Sequence, residues 1–285
     1  MNPWVEAARP RTLVAGVVPV LVGTAAADRF FFGRLIAALI VAIAIQVGVN
    51  YANDYFDALK GVDRPDRIGP RRATATGLIS PARMRAGIVV CIGVAVVAGL
   101  YLSALAGWHL VAVGALCFAA LLGYSGGARP YGASGLGEVF VFLFFGVVAT
   151  TGSAYVQSEH LQVTALAASV PVGALATAIL VVNNLRDIGT DKRAGKLTLA
   201  ARIGPHHTQR LYVLLVAAAF VSLTVIALVA GSIAPLAAWA SLPLALKASR
   251  LVGARNDAGV IAALGATARL QLVFGTLLAA GLWIS

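Results

Sequence analysis

Acid is scarce in this chain. Only 11 of its 285 residues are Asp or Glu, and all charged residues together make up 12%, about half the share found in ordinary soluble domains. That shortage excludes a water-facing globule. Cysteine is almost absent too, and the two that exist, Cys91 and Cys117, lie inside apolar runs where a thiol acts as a small hydrophobe. Neither a disulfide framework nor a thiolate zinc site is available. The four histidines are equally unhelpful as a ligand set, because His206 and His207 flank one helix start while His109 and His160 sit at the ends of other helices.

What the chain has instead is hydrocarbon. Hydrophobic residues make up 60% and the mean hydropathy is +0.88. Crossing a bilayer core of about 30 Å takes roughly 20 apolar residues, and nine runs qualify: 12–28, 34–56, 84–106, 108–124, 136–156, 163–185, 207–230, 232–250 and 260–284. The expected fold is therefore all-α, a polytopic bundle of nine transmembrane helices forming one domain over 1–285. The first run follows Arg9 and Arg11 without a small-residue cleavage site, so it is expected to stay as a helix.

A net charge of +11 invites a nucleic-acid reading, but the placement of the bases opposes it. With nine crossings and a cytoplasmic N-terminus, 19 of the 22 Lys and Arg residues fall on the inner side, and only Arg29 and Arg34 fall outside, as the positive-inside rule requires. The expectation is a multi-pass protein of the cell membrane with its C-terminus outside and no nucleic-acid partner. Arg269 lies within the last run, where it must snorkel to the interface or face the bundle and an anionic substrate.

The few acids are not scattered. Six of the 11, Asp54, Asp57, Asp63, Asp66, Asp187 and Asp191, lie in or just after two segments, Asn53–Asp57 and Asn183–Asp187. Both segments precede long basic connections on the inner side, and Pro81 or Pro205 opens the helix beyond each, a coarse sign of duplication. Asn50, Asn53, Asp54 and Asp57 recur at i, i+3, i+4 and i+7, which puts them on one helical face where they can converge on one ion. Asn183, Asn184, Asp187 and Asp191 repeat the design. Carboxylates this close repel unless a cation lies between them, and hard oxygen donors without Cys or His favour Mg²⁺.

Bases interleave with the acids: Lys60, Arg64 and Arg67 after the first cluster, Arg186, Lys192, Arg193 and Lys196 around the second. Such a mixture suits a magnesium diphosphate, whose leaving charge the metal and the bases would share. A single acid at a helix end is ordinarily just solvated, and inner-side bias explains most bases without a ligand. Two clusters of the same design weaken the first objection, and Lys60 and Lys196 are the bases best placed against the second. The segment from Tyr124 through Arg129 to Gly132, running on to Glu138, is the only inner loop rich in Gly and aromatic residues. It reads either as a plain turn or as a close backbone approach to ligand with a Tyr face for a cation. Arg9, in Ala8–Leu13, is either an interface anchor or a partner for a substrate carboxylate.

At these residues the chain resembles the UbiA superfamily of intramembrane prenyltransferases. Asn53–Asp57 with Asp63 is similar to its first aspartate motif, and Asp187 with Asp191, followed by Gly195-Lys196-Leu197-Thr198-Leu199-Ala200, to its second. Asn50–Tyr55, Asp66–Pro70, Tyr124–Tyr131 with Gly135–Glu138, and Asn183–Asp187 look like the menaquinone branch. Ala128 departs from the Pro or polar residue common there, which touches loop shape only. The resemblance implies a polyprenyl diphosphate donor, 1,4-dihydroxy-2-naphthoate as acceptor, Mg²⁺ as cofactor and a site on the cytoplasmic side with a groove open sideways to lipid. It also implies roles. Asn53, Asp57 and Asp63 with Asn184, Asp187 and Asp191 would hold Mg²⁺ and the diphosphate, with Lys60, Arg186 and Lys196 assisting. The residues themselves add Asp54 as a candidate metal ligand, Arg67, Arg129 and Arg9 as candidate substrate-binding groups, and Tyr124 as a candidate catalytic residue whose ring could stabilise a cation.

Three rivals frame that expectation. Another aromatic acceptor such as 4-hydroxybenzoate would leave the metal site unchanged. An ion-coupled transporter also uses intramembrane carboxylates, but nearer mid-bilayer and at broken helices. A CDP-alcohol phosphatidyltransferase lacks support because no Asp-Gly-x-x-Ala-Arg run is present.

Overall fold

The structure, a computed structural model, describes residues 2–61, 72–254 and 257–285. Among them the regular elements are all helical. A short α1 (Pro3–Ala8) and a 3-10 turn lead into α2 (Val14–Ala25), then α3 (Phe32–Leu59), α4 (Pro81–Ala106) and α5 (His109–Ser125). One continuous helical segment follows, made of α6 (Gly137–Val141), a π-helical stretch (Phe142–Val148) and α7 (Ala149–Ser158). After it come α8 (Val163–Arg193), α9 (Leu199–Ala230), a 3-10 stretch at Ala234–Ser241 running into α10 (Leu242–Val252), and α11 (Asp257–Trp283).

Each expected apolar run lies on a helical segment, but length and composition qualify six helices among the described residues as membrane crossings: 32–59, 81–106, 137–158, 163–193, 199–230 and 258–283. α2 and α5 are apolar but shorter. The eighth run divides into 3-10 and α segments because Pro235 and Pro243 interrupt the hydrogen-bond ladder. This is a multi-pass membrane protein.

Caps mark the ends that matter for the site. The Ser80 hydroxyl accepts from the Arg83 N–H ahead of Pro81 at the start of α4, and the Thr198 hydroxyl accepts from the Ala201 N–H at the start of α9. Gly204, at φ +78°, kinks α9 just before Pro205. Both prolines therefore open a straight helical run, as their placement suggested.

α8 is the axis of the bundle. Its apolar window is 78% buried against 33% for α3, and its Val172, Leu175, Val181 and Val182 pack with Phe220, Leu223, Leu270 and Phe274 in the main core. The π-helical stretch presses on it so closely that a Cβ at Gly146 would lie 2.5 Å from the Gly173 Cα. Outward-facing Val97, Leu228 and Ile233 are 72, 77 and 82% exposed, the expected state of side chains whose solvent is lipid. α3 and α8 continue through their acidic segments, so Asp54, Asp57, Asp187 and Asp191 ride on the last helical turns.

Candidate active site

The last turns of α3 and α8 meet at one end of the bundle. The Asp57 carboxylate, 3% exposed, accepts from the Lys196 ammonium at 2.8 Å and from the Arg72 guanidinium at 3.3 Å. A base that follows the second acidic segment thus closes on an acid of the first. On α8 Arg186 grips Asp187 through two bonds, 2.7 and 2.8 Å, and reaches the Asn183 side-chain oxygen at 2.7 Å. Asp191 accepts the Lys196 N–H on its backbone oxygen at 2.8 Å, which turns Lys196 back toward the site.

Two cavities meet here. A polar one of about 320 Å³ is lined by Asn53, Asp57, Lys60, Asn184, Asp187, Thr190, Asp191 and Lys196. A larger one of about 1020 Å³ extends between α3, α4, α5 and the 137–158 segment behind a mostly apolar wall. Arg9, Asn53, Arg72, Tyr124 and Asn183 line both, so these five residues form the neck. The arrangement places charge-binding groups at one end of a hydrocarbon-lined space.

Local supports hold the neck in shape. Arg9 sits at φ +52°, a left-handed backbone that an Arg adopts only under constraint. Asn50 donates to the Ala8 carbonyl at 2.9 Å and ties that turn to α3. The Ser125 hydroxyl donates to the Asn53 side chain, and the Lys60 ammonium donates to the Ser125 and Gly127 carbonyls at 2.8 and 3.2 Å. Asn184 donates to the buried Glu138 at 2.9 Å. Tyr124 packs edge-on against Tyr131, which stacks on Phe140 at 4.0 Å between centroids. The Tyr131 hydroxyl donates to the Ala120 carbonyl at 2.7 Å, and burial raises its pKa above the usual phenol value.

Set against the sequence expectations, Asn53, Asp57, Lys60, Tyr124, Asn184, Asp187, Asp191, Lys196 and Arg9 all line the polar cavity, and Arg186 lines the larger one beside the neck. Two expected members do not. Asp54, 1% exposed, accepts the Ala73 and Thr74 N–H groups at 3.0 and 2.8 Å and lines neither cavity. Its carboxylate closes the 72–79 turn, so the four polar residues of α3 diverge and do not converge on one ion. Arg129 is exposed at the loop tip and also lines neither cavity. Arg269 is exposed on α11, away from both. Asp63 and Arg67 lie outside the described residues.

Arg72 was not singled out among the bases, and Ser125 and Glu138 stood only within the Tyr124–Glu138 segment, with no role of their own. Arg72 was one base among many in a basic connection, and Ser125 is an ordinary helix-end serine. Glu138 carried the one usable signal, a lone acid opening an apolar run.

The candidate ligands in the polar cavity, Asn53, Asp57, Asn184, Asp187 and Asp191, are all oxygen donors, which suits a hard divalent cation. Among the described residues no group of three or more His, Cys, Asp or Glu side chains is gathered closely enough to hold a metal ion by itself. Asp57 and the pair Asp187 and Asp191 instead lie on two helix ends, Asp57 paired with Lys196 and Arg72 and Asp187 with Arg186.

A helical bundle that joins such a charged pocket to an apolar chamber defines a class: membrane enzymes that handle an amphiphile with an anionic head. The chain belongs to the UbiA prenyltransferase family, whose model matches residues 16–273. It is 44% identical over 228 residues to a 1,4-dihydroxy-2-naphthoate octaprenyltransferase of Mycobacterium tuberculosis, covering 79% of this chain and 78% of that one. Its fold is similar to the apo structure of a UbiA homolog from Aeropyrum pernix K1, with TM-score 0.71, 16% identity and 93 and 96% of the two chains covered. It is similar also to a UbiA homolog from Archaeoglobus fulgidus bound to GPP and Mg²⁺, with TM-score 0.68, 14% identity and 97 and 99% covered.

Proposed function

We propose that this protein transfers a polyprenyl chain from polyprenyl diphosphate to 1,4-dihydroxy-2-naphthoate, releasing diphosphate and CO₂, as a step of menaquinone biosynthesis. The observation that carries the reading is the Lys196–Asp57 pair, which joins the two acidic rims over a polar pocket opening into a hydrocarbon-lined cavity. The diphosphate lies in the polar pocket and the isoprenoid tail in the large cavity. Lys60, Lys196, Arg72 and Arg186 take up negative charge as the donor C–O bond breaks and its electron pair leaves with diphosphate. Tyr124 at the neck faces the allylic carbon with its electron-rich ring. The naphthoate ring carbon bearing the carboxylate attacks that carbon, and loss of CO₂ returns the C–C electron pair to the ring. Arg9 is the neck residue best placed for the naphthoate carboxylate.

Mg²⁺ would be held by Asp57 from one rim and Asp187 and Asp191 from the other, where it would neutralise charge on the leaving diphosphate. Asp54 is left out of that set. In the membrane we infer nine crossings with the acidic rims and N-terminus cytoplasmic and the C-terminus outside, because the bases concentrate on that side. The decisive experiment gives purified protein Mg²⁺, octaprenyl diphosphate and either 1,4-dihydroxy-2-naphthoate or 4-hydroxybenzoate. Prenylation of the first alone is expected. Prenylation of neither, or of 4-hydroxybenzoate alone, overturns the assignment.

A further inference from the structure

We propose that three glycines, Gly99 on α4, Gly114 on α5 and Gly152 on α7, set how long a prenyl chain the protein accepts by keeping the far part of the large cavity open. The proposal rests on the donor reading above. All three line that cavity, and a Cβ added at any of them meets no atom within 4 Å. Gly16, in the same wall, is different, because its Cβ would stand 3.1 Å from the Ala42 carbonyl oxygen. Helix packing explains Gly16 and leaves the other three unexplained. A helix-interior glycine costs about 1 kcal/mol relative to alanine. Gly93 on α4 and Gly265 on α11 are equally open and line neither cavity, so openness alone marks no function; what sets Gly99, Gly114 and Gly152 apart is that all three border one hydrocarbon-lined space, which any larger side chain there would narrow.

Position supports the same conclusion. Along α5 the cavity runs from Tyr124 at the neck back to Leu110, about 21 Å at the helical rise, and Gly114 lies about 15 Å from Tyr124 by the same measure. Beside the glycines, Val96, Leu100, Val111 and Val113 line the cavity yet are each more than a third exposed. The wall therefore opens sideways at this level, toward lipid. A geranyl tail threaded from the polar pocket stops short of the glycines, whereas an octaprenyl tail must pass between them to reach the opening.

The test compares kcat/KM for octaprenyl and geranyl diphosphate, with 1,4-dihydroxy-2-naphthoate as acceptor, in protein reconstituted into bilayers. Gly114→Leu and Gly152→Leu are expected to lower the octaprenyl-to-geranyl ratio roughly 10- to 200-fold, the range a hydrophobic steric mismatch supplies, and Gly114→Ala to lower it less. Leucine is the better helix former and its Cβ meets no atom within 4 Å at either position, and an unchanged geranyl kcat/KM in the same variants checks that the bundle is intact. Gly93→Leu is the control, since its Cβ is equally open but it lines neither cavity, and it should leave the ratio unchanged. An unchanged ratio in both cavity variants, or an equal loss on both donors, overturns the proposal. Wild-type protein that turns over neither donor overturns the donor reading instead.

Discussion

The two acidic segments share a spacing and differ in what their carboxylates do. On α3 one turn separates opposite fates, since Asp54 faces backward to cap the Ala73 and Thr74 N–H groups while Asp57 faces the polar cavity. On α8 Asp187 and Asp191 both line that cavity. The reason lies in the surroundings. α8 is the buried axis, clothed by neighbours along its length, so its last turns project straight into the space where the bundle opens. α3 is less enclosed, and its C-terminal end must also fasten the 72–79 turn that leads to α4. A repeated motif is thus not a repeated function, and the identity of each partner decides.

The largest effect should come from breaking the equivalence of the two rims as catalytic elements. Asp57→Ala and Asp187→Ala are each expected to cut kcat by at least about 10³-fold in the prenylation assay, because charge on the leaving diphosphate loses its counter-ion scaffold. Chelation of Mg²⁺ with EDTA should do the same and be reversed by added Mg²⁺. Asp54 should behave differently. Asp54→Ala leaves two buried N–H groups without an acceptor, a cost of about 2 kcal/mol or more, visible as a lowered Tm in detergent. Asp54→Asn, which keeps an acceptor oxygen, should recover much of the Tm and the activity; an Asp54→Ala protein with native Tm but no activity would restore Asp54 to the metal set.

Lys196 sharpens the comparison from the other side. Lys196→Met should raise KM for the donor roughly tenfold through loss of a charged hydrogen bond, with Lys196→Arg closer to wild type. The smallest effect belongs to Arg129→Ala. The side chain is exposed and lines neither cavity, so kcat/KM should stay near the wild-type value.

Much of the architecture was legible in advance because bilayer physics writes it along the chain. Apolar runs of the required length located the helical segments. Carboxylates at helical spacing marked the two helix ends that line the polar cavity. The helical stretch from Leu199 to the Gly204 kink had no counterpart among the apolar runs, since helix ends in polar sequence depend on capping and packing more than on hydropathy. Arg72 was missed for a similar reason: one base in a basic loop has no local feature that marks it.

Local order along the chain determined the helical class, the membrane setting, the two acidic segments and the family resemblance, because period and hydropathy are properties of neighbours in sequence. Tertiary structure alone decided which carboxylate does what. Asp54 is claimed by backbone 19 and 20 residues away, and Asp57 by a lysine 139 residues away. Contacts at that separation exist only once the helices have packed, because the burial that brings the two rims together is a sum over the whole bundle.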